Sequence, residues 1–154
     1  MTIDIKKETN DSKLPAFSRE GDACMDCYAD EDVTIPGFDL EKGLGRASVP
    51  LGFRIALPKG MEALIRPRSG LALKEGLTIL NSPGTIDENY RGEVRAIVLN
   101  TTSKAYNVKK GDRICQLAIR QIMCSSKSTI EWNVVSELDE TNRGEDGFGS
   151  SGKN

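Results

Sequence analysis

Apolar and β-branched residues along this chain recur at every second position in short runs, and the spacing of three to four residues expected of an amphipathic helix is rare. Gly, Pro, Asn or Asp interrupt these runs about every ten residues, as in an all-β chain. The pattern predicts strands over residues 3–6, 25–28, 32–35, 46–57, 61–65, 77–80, 93–101, 113–122 and 129–134. Breaks stand at Pro36-Gly37, Pro58-Lys59-Gly60, Ser82-Pro83-Gly84 and Lys110-Gly111-Asp112. Only residues 69–75, with Leu71, Ala72, Leu73 and Lys74, have helix-forming content, and Gly70 and Gly76 confine them to about two turns. In the strand predicted over 113–122, Cys115, Leu117 and Ile119 share one face and Gln116 points to the other. A lone amide opposite an apolar face marks a second, functional surface. A sandwich, a jelly roll or a closed barrel accommodates such strands equally well.

The 154 residues make one domain, at about 150 per domain. From about Glu140 the composition shifts to Gly and Ser with a single apolar residue, Phe148, so 1–139 reads as the domain and 140–154 as a flexible arm. Lys+Arg 21 against Asp+Glu 23 gives −2, which argues against nucleic acid or an anionic membrane as partner. The sequence contains no histidine, which excludes Ser-His-Asp and Cys-His mechanisms and imidazole metal ligands. Acid or base work must fall to a carboxylate, Lys, Tyr or Cys. The N-terminus is charged from Asp4 and carries no apolar signal segment, so a soluble, cytoplasmic protein is expected. Cys24, Cys27, Cys115 and Cys124 fit small buried thiols better than a split zinc site or a redox pair.

Four constellations could carry chemistry. Arg66-Pro-Arg-Ser-Gly70 joins a strand to the short helix, where Arg68, Ser69 and the first helical N–H groups suit an anion; the plain alternative is a solvated strand end with Ser69 as N-cap. Asn81-Ser-Pro-Gly-Thr-Ile-Asp-Glu-Asn-Tyr-Arg-Gly92 holds carboxylates, an aromatic and glycines that permit close approach; the alternative is a wide hairpin. Asp87, flanked by Ile86, is the best general-base candidate and is expected to be partly buried. Gly147-Phe-Gly-Ser-Ser-Gly-Lys153 resembles a phosphate loop without the strand and helix such a loop needs, yet its amides, hydroxyls and Arg143 still suit an anion. Asp26 is either a metal aid or an outward polar position. Two anion sites, a carboxylate, a turn pocket and a detachable aromatic point to a phosphorylated planar ligand.

At this point the chain resembles a known family, the trimeric dUTPases. The likeness rests on Ala23-Cys-Met-Asp-Cys-Tyr-Ala29, Arg66-Pro-Arg-Ser-Gly-Leu-Ala72, Gly84-Thr-Ile-Asp-Glu-Asn-Tyr-Arg-Gly92, Gly111-Asp-Arg-Ile-Cys-Gln-Leu117 and Arg143-Gly-Glu-Asp-Gly-Phe-Gly-Ser-Ser-Gly152, in the family's order. It implies an all-β jelly-roll or distorted β-barrel subunit, a dUTPase-like β-clip with one short helix and a flexible C-terminal arm. It also implies a homotrimer with shared active sites, the arm closing over a neighbour's site.

The implied reaction is Mg2+-dependent hydrolysis of dUTP to dUMP and pyrophosphate, which supplies dUMP for dTTP synthesis and keeps uracil out of DNA. In that scheme Asp87 activates water. Asn81, the backbone of Gly84, Thr85, Ile86 and Asp87, and Arg95 read uracil, and Tyr90 excludes a 2′-hydroxyl. Arg68, Ser69, Gly70 and Gln116 hold phosphates, and Asp26 meets Mg2+ through water. Arg143, Gly149, Ser150 and Ser151 hold the γ-phosphate while Phe148 stacks on uracil. The resemblance leaves nucleus or virus-infected host cell open beside the cytoplasm, and a regulatory protein partner unspecified. Cys24 and Asp146 stand where the family usually has Gly. The nearest rival, deoxycytidine triphosphate deaminase, is expected to carry a second Ser where Gly70 stands; a regulatory nucleotide-binding module is the rival from another class.

Overall fold

The computed structural model describes residues 1–41, 43–123, 130–142 and 144. Among the described residues, eleven strands and one helix follow in order: β1 (Asp4–Lys7), β2 (Met25–Tyr28), β3 (Val33–Ile35), β4 (Gly45–Pro50), β5 (Phe53–Ala56), β6 (Met61–Arg66), α1 (Ser69–Glu75), β7 (Leu77–Ile79), β8 (Gly84–Ile86), β9 (Arg95–Asn100), β10 (Tyr106–Val108) and β11 (Arg113–Gln121). All pairings are antiparallel. The largest sheet runs β2-β11-β6-β8, a second runs β4-β9-β7, and β1-β5 and β10-β3 form two-stranded ribbons. Among the described residues no sheet closes on itself, so of the three architectures open at the sequence level the jelly-roll-like arrangement of packed sheets is the one formed. No helix among the described residues is long and apolar enough to cross a membrane.

Alternation sets what each sheet buries. In β5, Phe53 and Ile55 point inward; in β9, Ala96, Val98 and Asn100 do so while Arg95 and Ile97 face out. Phe53, Leu51, Val49, Ile35, Leu77, Val94 and Val98 are fully buried at the centre. Removing such a side chain, as in Phe53→Ala, costs about 3–5 kcal/mol through lost transfer energy and the cavity left behind.

The run predicted as one strand over 46–57 is two. Gly52 adopts φ +74°, and a Cβ there would meet the Asp30 side chain at 2.5 Å, so the chain turns a corner that only glycine allows. This corner sends β4 to β9 and β5 to β1. The pattern did not reveal β8 or β10, which stand among polar and turn-forming residues, Asn81-Ser82-Pro83 before β8 and Lys109-Lys110-Gly111-Asp112 after β10. Of the expected strand over 129–134, the first residue lies outside the described residues, and 130–134 form no strand and pair with none among the described residues. Its alternation is nevertheless that of a strand, and Ile130, Trp132 and Val134 are exposed, the last two by 86% and 92%.

Candidate functional site

Two clusters of polar side chains stand out, and β6 joins them. At its C-terminal end, Gln116 on β11 lies in register between Asp26 on β2 and Arg66 on β6. Asp26 is the hub of this first cluster and is only 3% exposed, so the reading of it as an outward polar position is wrong. The reason lies in its strand: an isolated bridge to Ala16, with N–H···O bonds of 2.8 and 3.1 Å, lays the 16–22 segment over it. Ser18 Oγ donates to Asp26 Oδ2 at 2.7 Å and Arg113 Nη1 to the same oxygen at 3.1 Å. Gln116 Nε2 donates to Oδ1 at 3.2 Å, and Arg68 Nε lies 3.3 Å from Oδ1. Arg68 Nη1 also donates to the Arg113 carbonyl at 3.0 Å.

Burial alone would raise the Asp26 carboxyl's pKa. The hydrogen bonds from Ser18, Gln116 and Arg113, with the charge of Arg68, outweigh burial and hold it below the usual carboxylate value. Arg68 is also the residue that caps α1, with no side-chain bond to the helix. Ser69 is therefore the first helical residue and not the expected N-cap; its hydroxyl and Gly70 are exposed beside Arg68. Ser18 and Arg113 were not foreseen as members of this cluster. Arg113 stands in the quoted Gly111–Leu117 segment, and only the fold brings Ser18 to it.

The second cluster is the turn after β8. Gly84 pairs with Ile65 and Ile86 with Ala63. Asn81 folds back toward Gly84, where an added Cβ would lie 3.2 Å from its Nδ2. Thr85, Asp87, Tyr90 and Arg95 line a groove of about 270 Å³ together with Ile86, Ser48 and Glu93. Tyr90 is 43% exposed and its hydroxyl donates to the Glu93 carbonyl at 3.0 Å. A Cβ on Gly92 would collide with that ring, so the aromatic rests against bare backbone. Arg95 is fixed by Ser48 Oγ at 2.9 Å and Glu93 Oε2 at 2.8 Å. Ser48 and Glu93, which no motif flagged, are groove residues.

Asp87 itself is exposed, not partly buried as expected from Ile86 beside it: alternation turns Ile86 inward and leaves Asp87 at the rim. Among the described residues, no hydrogen bond or ion pair engages its carboxylate.

Gly84, opposite Ile65, comes level with the residue before Arg66, but Asp87 stands apart from the first cluster within one chain. Asp87 is one step past Ile86, level with Glu62, whereas Arg68 lies beyond Arg66, the far end of the strand. Four strand residues separate those levels, about 13 Å at 3.3 Å per residue. Of the remaining expected residues, Arg143, Phe148, Gly149, Ser150 and Ser151 lie outside the described residues, as do Cys124 and Asp146. Cys27 and Cys115 are buried and face each other in register, and among the described residues no three acidic or thiol groups gather to hold a metal.

Comparison with known proteins finds relatives in sequence and in fold. The deoxyuridine 5′-triphosphate nucleotidohydrolase of Clostridium tetani (strain Massachusetts / E88) is 46% identical over 153 residues, covering 99% of this chain and 97% of that protein. The Staphylococcus bacteriophage 80alpha dUTPase, solved with dUPNHPP, superposes with a TM-score of 0.80 at 25% identity, covering 99% of each chain. A mutant dUTPase from phage phi11 of S. aureus, in which a structural Mg(II) ion is coordinated, shares the fold with a TM-score of 0.73 at 20% identity over 91% of this chain and all of that one. The dUTPase family model matches residues 10–152, and the chain belongs to the dUTPase family.

Proposed function

We propose that the protein is a dUTP diphosphatase that hydrolyses dUTP to dUMP and pyrophosphate, in the cytoplasm, at sites shared between copies of a homotrimer. The observation that carries this reading is Asp87, an exposed carboxylate that no described residue engages, on the same groove as the Tyr90 ring. In a chain without histidine, that carboxylate is the base placed to take a proton from water. The water oxygen bonds to the α-phosphorus as the bridging oxygen leaves with pyrophosphate.

Uracil fits the groove beside β8. Among the described residues this strand ends its sheet, so one edge of its backbone has no partner strand there, and its N–H and C=O groups can pair with the base. Asn81, Gly84, Thr85 and Ile86 supply that edge, with the Arg95 main chain opposite. Tyr90, packed on Gly92, takes the sugar and leaves no space for a 2′-hydroxyl. Arg68, Ser69, Gly70 and Gln116 hold the phosphates, where fixed donors offset charge as the bond breaks.

The roughly 13 Å along β6 between the levels of Asp87 and Arg66 supports assigning the base and the phosphate cluster of one site to different copies. The arm, 140–154, is assigned to closing a neighbour's site, with Phe148 over the base and Arg143, Gly149, Ser150 and Ser151 on the γ-phosphate.

Both Asp26 oxygens are already engaged, which suits a contact to Mg2+ through water and not a direct bond. Mg2+ commonly keeps several waters and takes phosphate oxygens, so the donor set fits. When bound it neutralises phosphate charge and orients the triphosphate.

The test is pyrophosphate release, with Mg2+, from dUTP, dCTP, dTTP and UTP in parallel, for the native chain and Asp87→Asn. Release from dUTP alone, and an Asp87→Asn protein that binds dUTP without turning it over, is the expected result. Ammonia from dCTP, or unimpaired hydrolysis by Asp87→Asn, would overturn the reading.

A further inference from the structure

The Asp87 carboxylate has no hydrogen bond or ion pair among the described residues, so its position is set by what holds the turn around it. Within the turn, the Tyr90 N–H bonds to the Asp87 carbonyl at 3.1 Å, and Arg91 Nη1 donates to the carbonyls of Glu88 at 2.7 Å and Tyr90 at 2.8 Å. These bonds shape the loop without fixing it to the body. The tie to the body comes from the next residue. Glu88 is half-buried and its Oε2 accepts the Gly60 N–H at 2.5 Å, across 28 positions of sequence.

Gly60 is a firm anchor. It stands in the turn that enters β6, and its own carbonyl accepts the Ile122 N–H at 2.9 Å, next to the end of β11. A weaker second tie runs from Arg54 Nη1 to the Arg91 carbonyl at 3.1 Å, with Arg54 paired to Glu8. Glu88 does not line the groove. Whatever it contributes must pass through the turn residues that do line the groove, of which Asp87 is its direct neighbour.

We propose that Glu88 is a positioning residue for the hydrolysis: by accepting the Gly60 N–H it holds the neighbouring Asp87 where its carboxylate meets the attacking water. This rests on the reading of Asp87 as the base. A displacement of about 1 Å can cost about 100-fold in rate, because the advantage of a bound base is its geometry.

The experiment measures steady-state hydrolysis of dUTP with Mg2+, affinity for the α,β-imido analogue of dUTP, and hydrogen exchange at the Gly60 amide. The proteins are the native chain, Glu88→Ala, Glu88→Gln and Asp87→Asn. In Glu88→Ala, kcat is expected to fall by about 10- to 100-fold, and KM and analogue affinity to stay within about threefold. Gly60 exchange accelerates in the same variant. Glu88→Gln restores kcat to within a few-fold, because its side-chain carbonyl accepts the same N–H.

Unchanged kcat in Glu88→Ala, or equal losses in the Ala and Gln variants, overturns the proposal. Turnover by Asp87→Asn identifies a different failure, that of the base assignment. Should Glu88→Ala not fold, Glu88→Asp, whose carboxylate stops one methylene short of Gly60, takes its place with the same expected loss.

Discussion

Replacing Asp26 by Asn tests the central electrostatic claim, that one buried carboxylate organises the phosphate cluster. The substitution keeps the shape and one acceptor, and removes the charge that faces Arg68 at 3.3 Å and Arg113 at 3.1 Å. At an effective dielectric of about 20, each pair at these distances is worth about 5 kcal/mol of Coulomb energy. Much of that is lost to solvent, since the Arg68 and Arg113 side chains are 24% and 48% exposed. Desolvation of Asp26 offsets part of the remainder, but in the variant two guanidinium groups face each other with no charge between them. A net loss of about 1–2 kcal/mol follows, or roughly 2–8 °C in Tm for a chain of this size.

The pH dependence gives the test its sharpness. The folded pKa of Asp26 is depressed below its unfolded value, so its contribution is fully present above that value, near 3.9, and fades as pH falls through the folded pKa. The native and Asp26→Asn proteins should therefore differ at pH 7 and converge in acid. Thermal unfolding by circular dichroism, without nucleotide or metal, measures both. A deficit below about 0.5 kcal/mol at pH 7, or one that persists unchanged in acid, refutes the role given to the carboxylate.

Gly92→Ala places a methyl where the Tyr90 ring lies, and should push the ring into the groove. The expected result is a loss of kcat/KM for dUTP and a narrower preference for dUTP over UTP; unchanged selectivity would separate Tyr90 from sugar recognition. Trp132, the single tryptophan, is 86% exposed in one chain. If copies associate over the 130–138 segment, its emission should shift to shorter wavelength and its quenching by iodide should fall at concentrations where the oligomer forms. Full quenching in the assembled protein would place that segment outside the interface.

Much of this was legible in the sequence because the features are local. The span of α1 follows from four helix-forming residues bounded by glycines, and β2 and β6 follow from alternation against clear breaks. The hairpin and phosphate segments are contiguous, so their residues could be named before their geometry was known. What could not be read depends on distant partners. Ser18 joins Asp26 because an irregular segment crosses β2, and Gly60 meets Glu88 because β6 turns beneath the hairpin. The exposure of Asp87 went unread for a related reason: an apolar neighbour marks a strand face, and on a strand the next residue faces the other way. The 130–134 segment shows the converse, a strand pattern with no strand to pair with among the described residues.

The exposure of Asp87 places a requirement on the rest of the molecule. A carboxylate at the rim of an open groove is surrounded by water, which both solvates it and competes for the proton it must accept. Expelling that water strengthens every charge interaction in the site and keeps the attacking water single and oriented. The elements that frame Asp87 in its own chain cannot do this, because β8 ends its sheet and the groove opens to solvent beyond it. The phosphate donors sit about 13 Å away along β6, too far to cover it. Another copy bringing Arg68, Ser69 and Gln116, and an arm bringing Phe148, would supply the missing wall and lid together. On this account the site exists only when copies assemble and the arm closes, and the Gly60–Glu88 tie keeps the base in place through both events.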